Sequence, residues 1–234
     1  MDEIMPRLNF FPRGSFFDPT RMGIELIYLL IVIAICLFIY FKTKDMYDLT
    51  KHKGIGYFRN AFLLFASAYI FRFAFFLFGN VSRLVFDFSL PRQFMGPISL
   101  LFIGYLSTLA IFFLTMSTIW KRFKHKHVDH LLHAIALFIS LVVFFLHSPV
   151  ILTITQFILL VFAIVMSYLN SKRSKSKKHP HMFLVYVLLF LFWIINLSLL
   201  GPKHIHRVGF KTPVYVISII IFVIIFFKVK RWTK

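Results

Sequence analysis

The chain has 234 residues, of which 59% are hydrophobic, and Phe alone accounts for 33 of them. Soluble domains are typically about 45–50% apolar, so this composition excludes a soluble globular protein and a disordered one. The formal net charge is nevertheless +19, from 27 Lys and Arg against 8 Asp and Glu. A chain that is both this apolar and this basic indicates a membrane protein with basic loops, rather than a protein that binds nucleic acid.

Apolar runs that are long enough to cross a bilayer dominate the chain. A membrane helix needs about 20 predominantly apolar residues, and seven such runs leave room only for short loops. We therefore predict an all-α, polytopic integral membrane protein: a bundle of seven transmembrane helices that forms a single domain over residues 1–234. In chain order the runs are 24–41, 58–78, 97–120, 130–147, 149–169, 182–200 and 213–227.

The fourth and fifth runs are separated only by His147, Ser148 and Pro149. Together they are too long for one span, and proline is favoured at the first position of a helix. We therefore expect a tight hairpin at this point. The alternative is a single kinked helix, which would reduce the number of spans to six.

The basic residues are distributed unequally between the two sides of the predicted bundle. With the N-terminus outside, the inner loops and tail contain 18 Lys and Arg, the outer segments contain 8, and Arg72 lies within a span. The positive-inside rule then predicts an outer N-terminus and an inner C-terminus, in what we expect to be the plasma membrane. Residues 1–23 are predicted to form an outer interfacial segment and residues 228–234 a short basic inner tail.

Strongly polar side chains gather in the outer halves of the predicted spans, whereas the inner halves of the first and last spans contain almost none. This distribution predicts a cavity that opens outward above a closed floor, since a translocation path would need polar or small residues through both halves. The candidate ligand-binding residues of this cavity are Tyr28, Arg72, Thr108, Gln156, Trp193, Asn196 and Tyr215.

Arg72 is the most specific signal in the spans. An ionisable residue at the centre of a membrane helix costs about 2.5–3.5 kcal/mol on insertion scales and suggests a functional site. Its guanidinium could anchor an anionic or carbonyl-bearing ligand. The structural alternatives are an ion pair with Glu25 or Asp87, or extension of the side chain to the outer headgroups.

The densest group of side chains that could bind a metal contains His125, His127, Asp129, His130 and His133. Asp129 and His130 each lie about one helical turn before His133, and these three are the candidate ligands. They adjoin a basic stretch that repels cations, so they are a weak candidate. We predict no metal site and no cofactor.

The sequence contains none of the nucleophile, metal-protease or phosphate-loop motifs that would indicate an enzyme. We therefore expect a non-enzymatic, sensor- or receptor-like protein that binds a small molecule or lipid and acts on a separate cytoplasmic protein partner. A small-molecule transporter and a membrane scaffold or assembly subunit are the alternatives. Anionic lipids are expected at the basic inner face, and no nucleic acid.

Overall fold

The computed structural model describes residues 19–85, 92–122, 127–173, 179–197 and 208–232. Within these ranges the chain forms seven α-helices and a short 3-10 turn, with no strand, which confirms the predicted all-α bundle. The helices are α1 (Pro19–Thr50), α2 (Lys53–Val85), α3 (Arg92–Ile119), α4 (Val128–Leu146), α5 (Pro149–Arg173), α6 (His179–Leu197) and α7 (Val208–Trp232).

The helices have the length and composition of membrane spans. Among the described residues, six contain a stretch long and apolar enough to cross a bilayer, namely α1 to α5 and α7, and α6 contributes the shorter apolar segment Phe183–Asn196. The protein is therefore an integral membrane protein. Large apolar side chains such as Phe38, Phe138 and Phe145 are exposed on the bundle surface, as is expected of residues that face lipid.

Six helices form a closed ring in the order α1, α2, α3, α5, α6, α7, and α4 packs outside the ring against α3 and an edge of α5. Helices α3 and α5 run parallel, because Gln156 contacts Ser107 and, further along both helices, Asn170 contacts Thr118. Helices α1 and α7 are also parallel neighbours.

The two ends of the described chain lie at opposite ends of the bundle. Tyr28, near the start of α1, stacks on Tyr215 near the start of α7. Trp232, at the end of α7, packs against Phe58 near the start of α2. This arrangement agrees with an odd number of spans. We refer to the end with Tyr28 as the outer end and to the end with Trp232 as the inner end, following the distribution of basic residues.

The predicted hairpin is confirmed, since α4 ends at Leu146, His147 has a left-handed backbone conformation with φ 50°, and α5 begins at Pro149. Other boundaries differ from the sequence-based ones, because charged residues end an apolar run without ending a helix. Residues 228–232 accordingly continue α7 instead of forming a separate tail. Of the predicted N-terminal segment, residues 19–23 belong to α1, and residues 1–18 lie outside the described part of the chain.

The interior of the ring is apolar over most of its length. On α1 the buried side chains follow a spacing of three and four residues, which directs one helix face inward. Facing helices contribute aromatic and aliphatic side chains of similar burial, so the bundle is filled rather than hollow at these levels. Buried members of this core are Val32, Cys36, Ile39, Phe62, Leu189, Phe222 and Ile225.

Candidate functional site

An ion pair joins α1 and α2 at the outer end. Arg72 Nη2 lies 3.3 Å from Glu25 Oε1, and the two side chains are 35% and 24% exposed. The structure thus places Glu25 beside the arginine, whereas Asp87, the other carboxylate considered, lies outside the described residues. The pair is neither deeply buried nor freely solvated, so it remains within reach of molecules at the outer surface.

Three tyrosines surround this ion pair. Tyr28 stacks on Tyr215 with ring centroids 4.5 Å apart and meets Tyr69 edge-on at 6.4 Å. Glu25 and Tyr28 are three residues apart on α1, as are Tyr69 and Arg72 on α2, and this spacing puts each pair on one helix face. The guanidinium is consequently within electrostatic range of all three phenol groups.

Asn196 extends the same cluster to α6 and α7. Its Oδ1 accepts a long hydrogen bond of 3.5 Å from the Tyr28 hydroxyl, and its Nδ2 donates to Ser218 Oγ at 3.2 Å and to the Phe192 carbonyl at 2.8 Å. The cluster therefore connects α1, α2, α6 and α7. We call it the outer network; its members are Glu25, Tyr28, Tyr69, Arg72, Asn196, Tyr215 and Ser218.

Gln156 belongs to a second polar group, between α3 and α5. Its Nε2 donates to Ser107 Oγ at 2.6 Å and to Thr108 Oγ1 at 3.2 Å. The candidate ligand residues therefore fall into separate sets. Tyr28, Arg72, Asn196 and Tyr215 lie in the outer network, Thr108 and Gln156 bind each other, and Trp193 is half-buried on α6 one turn before Asn196.

Most of the candidate ligand residues are inaccessible from outside the bundle. Tyr28, Thr108, Gln156 and Tyr215 are each 5% exposed or less. A ligand would reach these side chains only if helices separated. The accessible charged groups of the outer network are Glu25 and Arg72, which therefore define the part of the site that an incoming molecule meets first.

Two of the three metal-ligand candidates instead form hydrogen bonds between α4 and its neighbouring helices. Asp129 accepts a hydrogen bond of 2.7 Å from the Tyr57 hydroxyl on α2, and His133 Nδ1 lies 2.7 Å from the Tyr105 hydroxyl on α3. His130 is exposed. Over the part of the chain that the structure describes, no three His, Cys, Asp or Glu side chains come together as metal ligands would.

The sequence did not reveal how closely helices approach at the inner end. A Cβ on Gly54 would lie 2.9 Å from both the Ser117 carbonyl oxygen and the Trp120 ring, so α2 meets the end of α3 at a distance that only glycine permits. Gly54 and Gly56 both lie in the first turn of α2. A glycine pair beside an aromatic-rich helix was the one signal available.

His52 lies between α1 and α2, outside the membrane-spanning segments. Its ring meets Trp120 edge-on, with centroids 4.9 Å apart. Partial burial, together with the positive charge of Lys121, lowers the pKa of His52 below its ordinary value of 6.5. The neutral form of His52 is therefore the one that the fold favours.

The fold and its long apolar helices define a polytopic helical membrane protein. The chain is similar to an uncharacterized protein of Archaeoglobus fulgidus, with 28% identity over 212 residues that cover 88% of this chain and 91% of that protein. No protein-family model matches the chain, and no solved structure matches it. The similarity extends over nearly the whole length of both proteins and carries no functional description.

Proposed function

We propose that this is a non-enzymatic, sensor- or receptor-like membrane protein that binds an anionic or carbonyl-bearing small molecule or lipid at its outer end. The observation that carries the proposal is the partly exposed Glu25–Arg72 ion pair at 3.3 Å. This pair is the accessible edge of a buried network on four helices, so an event at the surface has a direct connection to the packing of the bundle.

A ligand would act by competing with Glu25 for Arg72. Carboxylate and phosphate groups accept two parallel hydrogen bonds from a guanidinium, so they can replace the Glu25 carboxylate. Released from Arg72, α1 loses a contact with α2. Tyr28 lies on the same face of α1 and stacks on Tyr215 of α7, so a displacement of α1 alters the α1–α7 contact as well.

Helices α1 and α7 offer a route from the outer network to the inner side. They are parallel neighbours in contact along their length, as Phe38 and Phe226 show further toward the inner end. Trp232 then packs against Phe58 of α2, with ring centroids 5.9 Å apart. A cytoplasmic protein partner that contacts this end of α7 would respond to a shift of the helix. The basic residues expected to attract anionic lipids lie beside it.

The filled interior supports binding over transport. Below the outer network the ring is occupied by apolar side chains such as Phe62, Phe222 and Ile225, whereas a permeation path needs polar or small residues along its length. A sensor and a transporter both need two states of the bundle. A ligand shifts the populations of these states only by binding one state more tightly than the other.

The test uses the full chain in lipid nanodiscs with a panel of small carboxylates and phosphates. We expect at least one compound to raise the thermal unfolding temperature, without flux of that compound into proteoliposomes. Arg72→Gln should abolish the stabilisation while the variant remains folded. Lys53→Gln, the loss of an exposed positive charge at the other end of α2, should retain it.

Two results would replace this proposal by the alternatives. Flux of a stabilising compound would favour a transporter. Absence of stabilisation by every compound, together with co-purification of a stable partner protein, would favour a scaffold or assembly subunit.

A further inference from the structure

Arg59, on α2 near the inner end, is held between two tyrosines of α1. Its guanidinium carbon lies 4.6 Å from the centre of the Tyr47 ring and 5.2 Å from the centre of the Tyr40 ring. Both distances are within the range of a cation–π interaction. The two tyrosines are seven residues apart and so occupy one face of α1, with the arginine of the neighbouring helix against them.

The close packing of α1 on α2 positions this aromatic pair. A Cβ on Gly56 would lie 2.9 Å from the Tyr47 ring, so glycine at this position is what allows Tyr47 to reach Arg59. Lys44, between the two tyrosines on the same helix face, is exposed and adds positive charge beside them. The arrangement is therefore a built aromatic and basic site.

The guanidinium lacks an anionic partner within the described chain. Arg59 Nε is buried and has no hydrogen-bond acceptor. Asp48, next to Tyr47 in sequence, pairs instead with Lys51 at 3.4 Å. A guanidinium has five N–H donors. Because Nε is buried, an acceptor from outside the described residues would bind the terminal Nη groups.

We infer that Arg59, Tyr40 and Tyr47 bind the phosphate of an anionic lipid headgroup from the inner leaflet. The rings cover the guanidinium, and a phosphate oxygen pair matches the planar N–H edge that remains. Arg59 follows the start of α2 by six residues, which is ~9 Å of helix. Together with the two tyrosines, which favour the membrane interface, this places it near the level of headgroups. This inference does not depend on the ligand site proposed at the outer end.

The experiment measures lipid binding to the detergent-purified full chain by native mass spectrometry, with phosphatidylglycerol and phosphatidylcholine titrated separately. We expect a first, tight phosphatidylglycerol that phosphatidylcholine does not replace. Arg59→Gln should weaken it about tenfold, as expected for loss of a charge-assisted hydrogen bond. Lys172→Gln removes an exposed positive charge at the inner end of α5 and should weaken it less than twofold, by the order expected of a surface charge.

Further variants separate a shaped site from a simple positive charge. Arg59→Lys should bind less tightly than wild type, because an ammonium group lacks the planar fork. Tyr47→Leu keeps the charge and should also weaken binding, so it provides the test if Arg59→Gln does not fold. Equal losses for Arg59→Gln and Lys172→Gln, or wild-type binding by Arg59→Lys, would overturn the inference. Inorganic phosphate that displaces the lipid at equal concentration would overturn the assignment to a lipid.

Discussion

Arg59 and Arg72 lie on the same helix, but their side chains have different contact partners at the two ends of the bundle. At the outer end, Arg72 meets the carboxylate of Glu25. At the inner end, Arg59 lies against aromatic rings and its Nε has no acceptor from the described chain. An arginine in a membrane helix thus does not define a function by its presence. What matters is the partner of the guanidinium. A ligand of Arg72 would have to displace the Glu25 carboxylate, whereas a ligand of Arg59 would meet no competing anion from the described chain.

The two ends also differ in how their helices are held together. The outer network relies on polar side chains that contact each other across four helices, with one hydrogen bond as long as 3.5 Å. The inner end relies on backbone approach at Gly54 and on aromatic packing around Trp120. Contacts of the first kind can exchange partners, whereas close packing resists displacement. We therefore expect the outer end to be the more adaptable one.

The largest effect should come from a side chain at the closest helix contact. Gly54→Val would force atoms against the Ser117 carbonyl and the Trp120 ring, and overpacking of this kind typically costs about 1–3 kcal/mol. Gly23→Ala is the outer-end control, since a Cβ there has nothing within 4 Å. Titration with a denaturing detergent should show a loss for the first variant and none for the second. Equal unfolding free energies would remove the contrast in packing.

Removal of two tyrosine hydroxyls gives a smaller, paired comparison. The Tyr186 hydroxyl donates to the Leu114 carbonyl at 2.9 Å and also contacts Ser117, so Tyr186→Phe should cost about 1 kcal/mol. Tyr28→Phe removes a hydroxyl whose bond to Asn196 is long, at 3.5 Å, and should cost less. The same detergent titration would measure both variants. A greater loss for Tyr28→Phe would show that the outer network is the more rigid of the two regions.

The Glu25–Arg72 pair should contribute a modest coupling energy. Both groups are partly solvated, so a double-mutant cycle with Glu25→Gln and Arg72→Gln is expected to give roughly 0.2–1 kcal/mol. The double variant should then be more stable than the sum of the single losses implies. Additive losses would show that the two side chains are energetically independent, and ligand competition for Arg72 would lose its basis.

The smallest effect concerns pH at the inner end. Because the pKa of His52 is lowered in the folded protein, its contribution to stability is complete above the ordinary pKa of 6.5 and is lost as pH falls from there toward the native value. His52→Gln should therefore flatten the pH dependence of the unfolding temperature over this window. A titration of the His52 ring by NMR checks the sign directly, since a midpoint at or above 6.5 would contradict it.

The fold could be predicted from the sequence because the bilayer imposes a strict rule on hydropathy. Seven apolar runs, and the hairpin at His147 and Pro149, follow from span length and proline chemistry alone. Helix ends could not be predicted in this way. Helix α1 continues through Lys42 and Lys44 to Thr50, because backbone hydrogen bonding persists where the side chains have left the hydrocarbon layer.

The candidate site was predictable only in part. Helical spacing places Glu25 with Tyr28 and, separately, Tyr69 with Arg72. The sequence does not state which helices are neighbours in the ring, and that order decides which polar residues meet. For this reason the sequence could not predict that Gln156 of α5 contacts α3. Nor could it predict which of the many basic residues at the inner end, in this case Arg59, contacts aromatic rings.

Helix α4 stands outside the closed ring, and its position has a consequence for the direction of the chain. Since α3 and α5 are parallel neighbours, the polypeptide must return across the bilayer between them, and α4 makes that return. Deletion of α4 would therefore reverse every later helix and carry the basic end of α7 to the opposite compartment. Helix α4 is held by one narrow contact stripe, formed by Leu132, Ala136, Ser140 and Val143, and by the hydrogen bonds of Asp129 and His133.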